Sequence, residues 1–449
     1  MLKPWVILRS PVLWIALGLV LLGPHLVRAE PRIRRVVDVA PVWSGHPVRF
    51  ALLTRGSRQF VAFYDAERQL TVAARTLDSD QWTFQRLPSQ LGWDSHNYVT
   101  LAIDGAGQLH LSGNMHCVPL VYFRTQRPDD ILSFERVSAM VGRNEQRCTY
   151  PRFLTGAAGE LIFTYRDGSS GNGDQYFNVY DPASRTWRRL LDEPLFTGEG
   201  LRNAYFHGPV RDAAGVFHLC WVWRDTPDCA TNHDLSYARS RDLVHWETSG
   251  GAALQLPISL ARAEIVDPVP AQGGIINGNT LIGFDARGRV VISYHKFDAA
   301  GKTQLYNARR EEAGWKSYQT SDWDYRWEFG GGGTIGFEIG FGPVTAAADG
   351  SLTQSYRHAQ HGSGRWRLDP ATLRAVGPAP REPGLPQADL PAQSEWPELH
   401  GQAASDLGQG DDPDVEYVLR WQTLPSNRDR PRDGPLPPPS MLKLYEIEP

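Results

Sequence analysis

After residue 30 the chain alternates short apolar runs with small turns built from Asp, Ala and Gly. Tyr98–Ile103, Asp104–Gly107 and Gln108–Ser112 read as a strand, a tight turn and a returning strand. The same pattern recurs around Gly156–Gly159, Asp212–Gly215, Asp285–Gly288 and Ala348–Gly350. Third apolar runs follow at Leu120–Thr125, Gln175–Tyr180, Asp234–Ser240 and Thr303–Arg309, and units close on Trp82, Trp187, Trp246 and Trp315. Successive turn glycines lie 52 to 73 residues apart, somewhat longer than the ~40–50 of four-stranded propeller blades. An earlier unit lies around Val48–Trp82. A last one combines Tyr417–Thr423 and Met441–Ile447 with the N-terminal run Ile33–Val42. The pattern predicts an all-β fold, a seven-bladed β-propeller closed by pairing of its N- and C-terminal strands, which hides the sheet edges. A β-sandwich or β-helix is the competing arrangement. Pro378–Pro437, rich in Pro and charged residues, reads as long surface loops around a short strand of the same domain, 30–449.

In an antiparallel hairpin the start of the first strand and the end of the second lie together, away from the turn. The second unit therefore brings His96, Asn97, Asn114 and His116 to one rim. By the same rule the third contributes Tyr150 and Arg166, the fourth Tyr205, His207 and Arg224, the fifth Asn277, Asn279, His295 and Lys296, and the sixth Arg357 and His358. A mouth of His, Tyr, Arg and Asn suits an anionic sugar, with guanidinium to carboxylate or sulfate and amides to hydroxyls. Asn97, Asn114, Tyr205, Arg224, Asn279 and His295 are expected to bind it. Arg326 is expected to join them from the glycine-rich loop Asp322–Gly333, which would cover the funnel.

Composition narrows the partners. Lys3 and Arg9, the apolar run Val12–Gly23 and Val27-Arg28-Ala29 read as a signal peptide over 1–29. Export to the periplasm or outside the cell is expected, with no membrane association after cleavage. Removing that segment takes away three basic residues and no acid, so the net charge moves from −4 to −7. A field of that sign argues against nucleic acid as a partner. A monomer is expected.

Four cysteines in an exported chain suggest pairing. Cys117 and Cys148 flank the segments holding His116 and Tyr150, and a disulfide between them would tie adjacent units. His207, Cys220, Cys229 and His233 offer a donor set for a structural zinc ion, with His218 in reserve. A plain Cys220–Cys229 disulfide is the rival. No organic cofactor is expected.

The runs His96-Asn-Tyr98, Gly113-Asn-Met-His-Cys-Val-Pro-Leu120, Thr149-Tyr-Pro-Arg-Phe153, Tyr165-Arg-Asp-Gly168, Asn232-His-Asp234 and Ser293-Tyr-His295 resemble the BNR-repeat propeller family that includes bacterial ulvan lyases. Ser240-Arg-Asp242-Leu-Val-His-Trp246 resembles a degenerate Asp-box, which such proteins place between third and fourth strands. The resemblance implies a polysaccharide lyase that cleaves a uronate-containing sulfated polymer by β-elimination. His96, His116, Tyr150 and Arg166 match the lyase site. Those residue types fit the chemistry: a cation beside the uronate carboxylate stabilises the developing enolate, while Tyr or His takes the C5 proton and protonates the leaving oxygen. Which residue is base and which acid stays open. The alternatives are a non-catalytic glycan-binding propeller and a sialidase-type glycoside hydrolase, for which Glu264, Asp324 and Glu328 would have to enter from loops.

Overall fold

The computed structural model describes residues 31–380 and 396–448; the signal segment expected over 1–29 lies outside them. The described chain is all-β, with three short 3-10 turns as its helical content. Its strands form seven sheets. The second is Val99–Ile103, Leu109–Gly113, Tyr122–Thr125 and Phe134–Arg136, and the third runs through Cys148–Thr155, Leu161–Ser169, Asn172–Asp181 and Thr186–Arg189. The fourth takes Asn203–Arg211, Phe217–Arg224, Asn232–Ser240 and Trp246–Glu247. The last joins the two ends of the chain: Arg32–Val42 pairs antiparallel with Ser440–Glu448, from Arg32↔Glu448 to Val42↔Ser440. Glu416–Thr423, expected as the strand Tyr417–Thr423, pairs with the last strand of that sheet; the further strand His400–Ser405 and the two-residue strand Gln409–Gly410 beside Arg55 come from the Pro-rich stretch read as mostly loop.

The turns follow from side-chain chemistry. Asp104 Oδ1 accepts from the backbone N–H of Ala106 and of Gln108, both at 2.9 Å. Gly107 takes φ 87°, where a side chain would be strained. Asp212 and Asp285 repeat this arrangement. The degenerate Asp-box sits between third and fourth strands of its sheet: Asp242 Oδ1 accepts from Val244 N and His245 N, both at 2.8 Å, and Trp246 is buried.

The second strands of the second and fourth sheets are buried on both faces; every residue of Phe217–Arg224 and of Leu109–Gly113 is buried. Neighbouring sheets cover both sides, so even the polar residues of these runs, His110, Ser112, His218 and Arg224, are enclosed. Neighbours meet largely through their first strands. Val99–Ile103 touches both Ala51–Gly56 and Cys148–Thr155, and Asn203–Arg211 touches Leu281–Phe284. The architecture is thus propeller-like. Trp221, Trp223 and Trp421 are fully buried, the last stacked on Phe50 at 4.4 Å between ring centroids. Among the described residues no helix is long and apolar enough to cross a membrane.

Candidate active site

Val99 pairs with Gly113, so His96 and His116 flank the open end of one hairpin. A Cβ on Gly113 would lie 2.6 Å from the Tyr98 carbonyl oxygen, so the close approach requires glycine. The chain then leaves its own sheet. Asn114 and Cys117 adopt left-handed φ of 55° and 57°, and the short strand His116–Val118 pairs with the third sheet, Thr149 opposite His116. This sheet switch sets His116 opposite Thr149, the neighbour of Tyr150 in sequence.

Tyr150 is placed by a bulge. Thr149 pairs with Arg166 and Arg152 with Thr164, so Tyr150 and Pro151 oppose one residue. Tyr150 has φ 58°, a conformation costing about 1–3 kcal/mol for such a residue. Tyr98 Oη donates to the Pro151 carbonyl at 3.1 Å and braces the bulge from the second sheet.

The two imidazoles lie 4.3 Å apart, centroid to centroid, and share one carboxylate. His96 Nδ1 donates to Asp94 Oδ1 at 2.7 Å, and His116 Nδ1 makes a very short contact with Asp94 Oδ2. The Tyr150 ring lies 5.7 Å from His96 on one side and 6.0 Å from Tyr205 on the other. His96 and His116 are 23% and 26% exposed, open enough to meet a ligand.

Arg166 sits behind this cluster. It is 1% exposed, its guanidinium carbon 5.0 Å from the Tyr150 ring. Nη2 donates to Thr149 Oγ1 at 3.0 Å and Cys117 Sγ at 3.4 Å, Nη1 to Tyr205 Oη at 3.3 Å. Gly173 makes the room: a Cβ there would lie 2.7 Å from Arg166 Cδ. Arg166 therefore acts on Tyr150 and Cys117 and does not line the open surface.

The electrostatics separate the groups. Burial pulls the His116 imidazole down, but the Asp94 and Cys117 contacts outweigh it and hold its pKa at about 9. Burial pushes Asp94 up, yet hydrogen bonds from His116 and His96 keep it well below the usual carboxylate range. Burial likewise raises the Cys117 thiol, and His116, Arg166 and Thr149 bring it down to about 7. The Tyr150 phenol is pushed up by burial and by Tyr205 against the opposing Arg166 and Arg224.

Of the expected binding residues, Tyr205 belongs to the cluster and Asn97 adjoins it, its carbonyl accepting from Tyr64 Oη at 2.6 Å. Arg224 lies behind Tyr205, its guanidinium spent on Thr226 O, Pro227 O and Asn277. The others point elsewhere. Asn114 donates to Ser89 Oγ and Gln90 O, Asn279 to Ile339 O, and Arg326 to Gly301 O and Glu328. His295 is fully buried against Trp327. The hairpin rule gives the end of a strand but not which way a side chain leaves it.

Both metal and disulfide expectations need correction. All four cysteines are free thiols. Cys148 packs among Met115, Tyr122 and Phe163, whereas Cys117 Sγ lies 3.7 Å from Thr149 Oγ1; side chains of neighbouring strand residues point to opposite faces, so the two sulfurs are apart. His207, Cys220, Cys229 and His233 do not converge. Cys220 is sealed among Tyr205, Val222 and Tyr237, Cys229 joins Trp323 and Trp327, and His233 is held by Asp225 and Asp234. Burial drives His207 down to about 4. His218, in reserve, is occupied by Tyr237 and Asp212. Among the described residues, Asp94, His96 and His116 are the group whose ligand-type atoms lie within 4.8 Å of one another.

Sequence reading missed Asp94, Thr149 and the thiol of Cys117 as members of the site. The signal for Asp94 was local: a carboxylate two residues before His96 in a loop.

A sequence profile of the BNR repeat-containing family matches residues 58–323, more than half of the chain. The chain belongs to that family. Two ulvan lyases align with short segments of this family member. The long isoform of Glaciecola sp. (strain KUL10) is 34% identical over 67 residues, 15% of this chain and 7% of that enzyme. The short isoform of Alteromonas sp. (strain LOR) is 43% identical over 47 residues, 10% of this chain and 9% of that enzyme. Solved structures match over nearly the whole length. The polysaccharide lyase Uly1 superposes with a TM-score of 0.60 at 14% identity, covering 93% of this chain and 99% of that one. An ulvan lyase bound to -[GlcA(1-4)Rha3S]- gives 0.59 at 14% identity, covering 92% and 96%. At that identity the likeness is one of fold.

Proposed function

We propose that this protein is an exported polysaccharide lyase that cleaves a uronate-containing, anionic polymer by β-elimination, on a closed seven-bladed propeller. One observation carries the reading. Two part-exposed imidazoles share a carboxylate at 4.3 Å ring separation, with a phenol held beside them in a strained bulge over a buried guanidinium. The bound sugar fragment of one fold neighbour supports the substrate class. The pairing of the two chain ends supports the closed ring.

The roles follow from charge and access. His116, protonated at neutral pH and a quarter exposed, meets the uronate carboxylate and stabilises the charge that develops as C5 loses its proton. Arg166 adds positive field from behind Tyr150. His96 and Tyr150 move the protons. One takes the C5 hydrogen, the electron pair forms the C4–C5 double bond, and the other protonates the departing C4 oxygen. Asp94, fixed as a carboxylate, keeps a hydrogen on Nδ1 of His96 and leaves Nε2 to exchange a proton. Hydrolysis of sialidase type finds less support. Glu264 is bound to Ser249 and Trp315, Asp324 to Lys302 and Glu328 to Arg326.

The test is incubation with ulvan and other uronate polymers while following the ultraviolet absorbance of the unsaturated product. A rise abolished by His116→Ala and by Tyr150→Phe supports the lyase. New reducing ends without absorbance mean hydrolysis, and binding without either product means a glycan-binding module.

A further inference from the structure

The geometry points to Asp429, far away in sequence on the turn before the last strand, as a positioning residue for His96. This rests on the proton-transfer role proposed above for His96.

Asp429 reaches the site through an unusual turn. Arg428 and Asp429 both lie in the left-handed region, at φ 54° and 59°. The carboxylate is aimed back across the chain and is only 10% exposed. Its Oδ1 accepts from the Ser95 backbone N–H at 3.1 Å and the Ser95 hydroxyl at 2.6 Å. Its Oδ2 accepts from Thr334 N at 2.7 Å and lies 3.5 Å from His96 Nδ1. One carboxylate thus grips the residue before His96 by two bonds and faces the imidazole itself.

The turn is anchored from the other side. Arg428 Nη1 donates to the carbonyls of Gly330 and Gly332 at 2.8 and 3.1 Å. Gly331 N donates to Asp228 Oδ1 at 2.6 Å. The glycine-rich strap is therefore stretched from the fourth sheet to the Asp429 turn, and Thr334 at its end lies 2.8 Å from the Ser95 hydroxyl. Asp94 has two imidazoles to serve, one of them charged. A second carboxylate at His96 Nδ1 fixes the ring and keeps its hydrogen on that nitrogen when Asp94 is drawn to His116.

The experiment compares wild type with D429N, which keeps the shape and removes the charge, and with S95A. The first readout needs no substrate. Long-range 15N–1H spectra of histidine-labelled protein, with His96 assigned through H96Q, report which ring nitrogen holds the hydrogen. Wild type is expected to show His96 protonated at Nδ1, and D429N a shift toward the mixed-tautomer position at an unchanged melting temperature. The second readout is turnover on the polymer that wild type cleaves: D429N should lower kcat about tenfold or more with KM within about twofold, and D429E should recover part of it. An unchanged His96 spectrum in both variants overturns the assignment, as does a kcat loss that only follows a fall in melting temperature. If wild type forms no unsaturated product, the lyase reading fails while the spectrum still decides the role of Asp429.

Discussion

Asp, His and Tyr come together in two kinds of place in this chain, and the imidazole behaves oppositely in them. In the core, His110 Nε2 donates to Asp104 at 3.4 Å and Nδ1 meets Tyr122 Oη at 2.7 Å; His218 repeats this with Asp212 at 3.1 Å and Tyr237 at 2.6 Å. Both nitrogens are used. Burial lowers both pKa values despite the carboxylates. These rings are neutral struts between a turn and a neighbouring strand. At the rim, His96 and His116 divide one carboxylate and stay part-open, and His116 is held charged. The residue types are the same. Solvent access decides between a strut and a chemical group.

Substitutions sharpen the contrast. Tyr150→Phe and His96→Ala should cost about 10²–10⁴-fold in lyase turnover with little change in melting temperature, read by product absorbance and thermal unfolding. His110→Ala should do the reverse. It strands buried Asp104 and Tyr122 and opens a cavity, for about 3 kcal/mol of stability measured by urea unfolding. Equal stability losses at both sites would erase the distinction.

The pH dependence is the next handle. The folded-state pKa of His116 lies above its ordinary 6.5, so its contribution to stability is complete below about 6.5 and is lost as pH rises through about 9. Asp94 has the opposite sign: its contribution is present above its ordinary 3.8 and is lost as pH falls through its lower folded value. Wild-type turnover should therefore fall as pH rises through about 9. Asp94→Asn should move that limb toward or below 6.5, followed by NMR titration of His116. A limb that stays in place would remove Asp94 as the cause.

The smallest expected effect concerns the thiols. Cys117, held near 7, should be alkylated by iodoacetamide several-fold faster at pH 8 than at pH 6, with loss of turnover. Cys148, pushed up by burial, should remain unmodified, as peptide mapping would show. Equal labelling of the two would contradict the assigned environments.

The β content and the hairpin turns were legible in the sequence, because Asp-x-x-Gly turns and apolar runs are set by short-range chemistry; the pairing of the chain ends was legible only from the count of repeated units, whose closure leaves the first and last strands as partners. The meeting of His96 and His116 was legible too, since hairpin register is local. The resemblance, more than the spacing, pointed to Tyr150 and Arg166. What periodicity could not give was orientation. Asn114, Asn279, His295 and Arg326 sit near strand ends or on loops yet turn into neighbouring sheets, the core or their own surface. The zinc set failed for the same reason: nearness in sequence does not align four donor atoms.

The sequence by itself determined that this chain makes β hairpins and where each one turns, because the hydrogen bonds that form a turn lie within a few residues. Only the tertiary structure decided that Asp94 serves both imidazoles, that a strand switches sheets to carry His116 to Thr149, and that Arg166 is sealed behind them. Those outcomes depend on burial and on contacts between sheets, and neither is a property of any short stretch of chain.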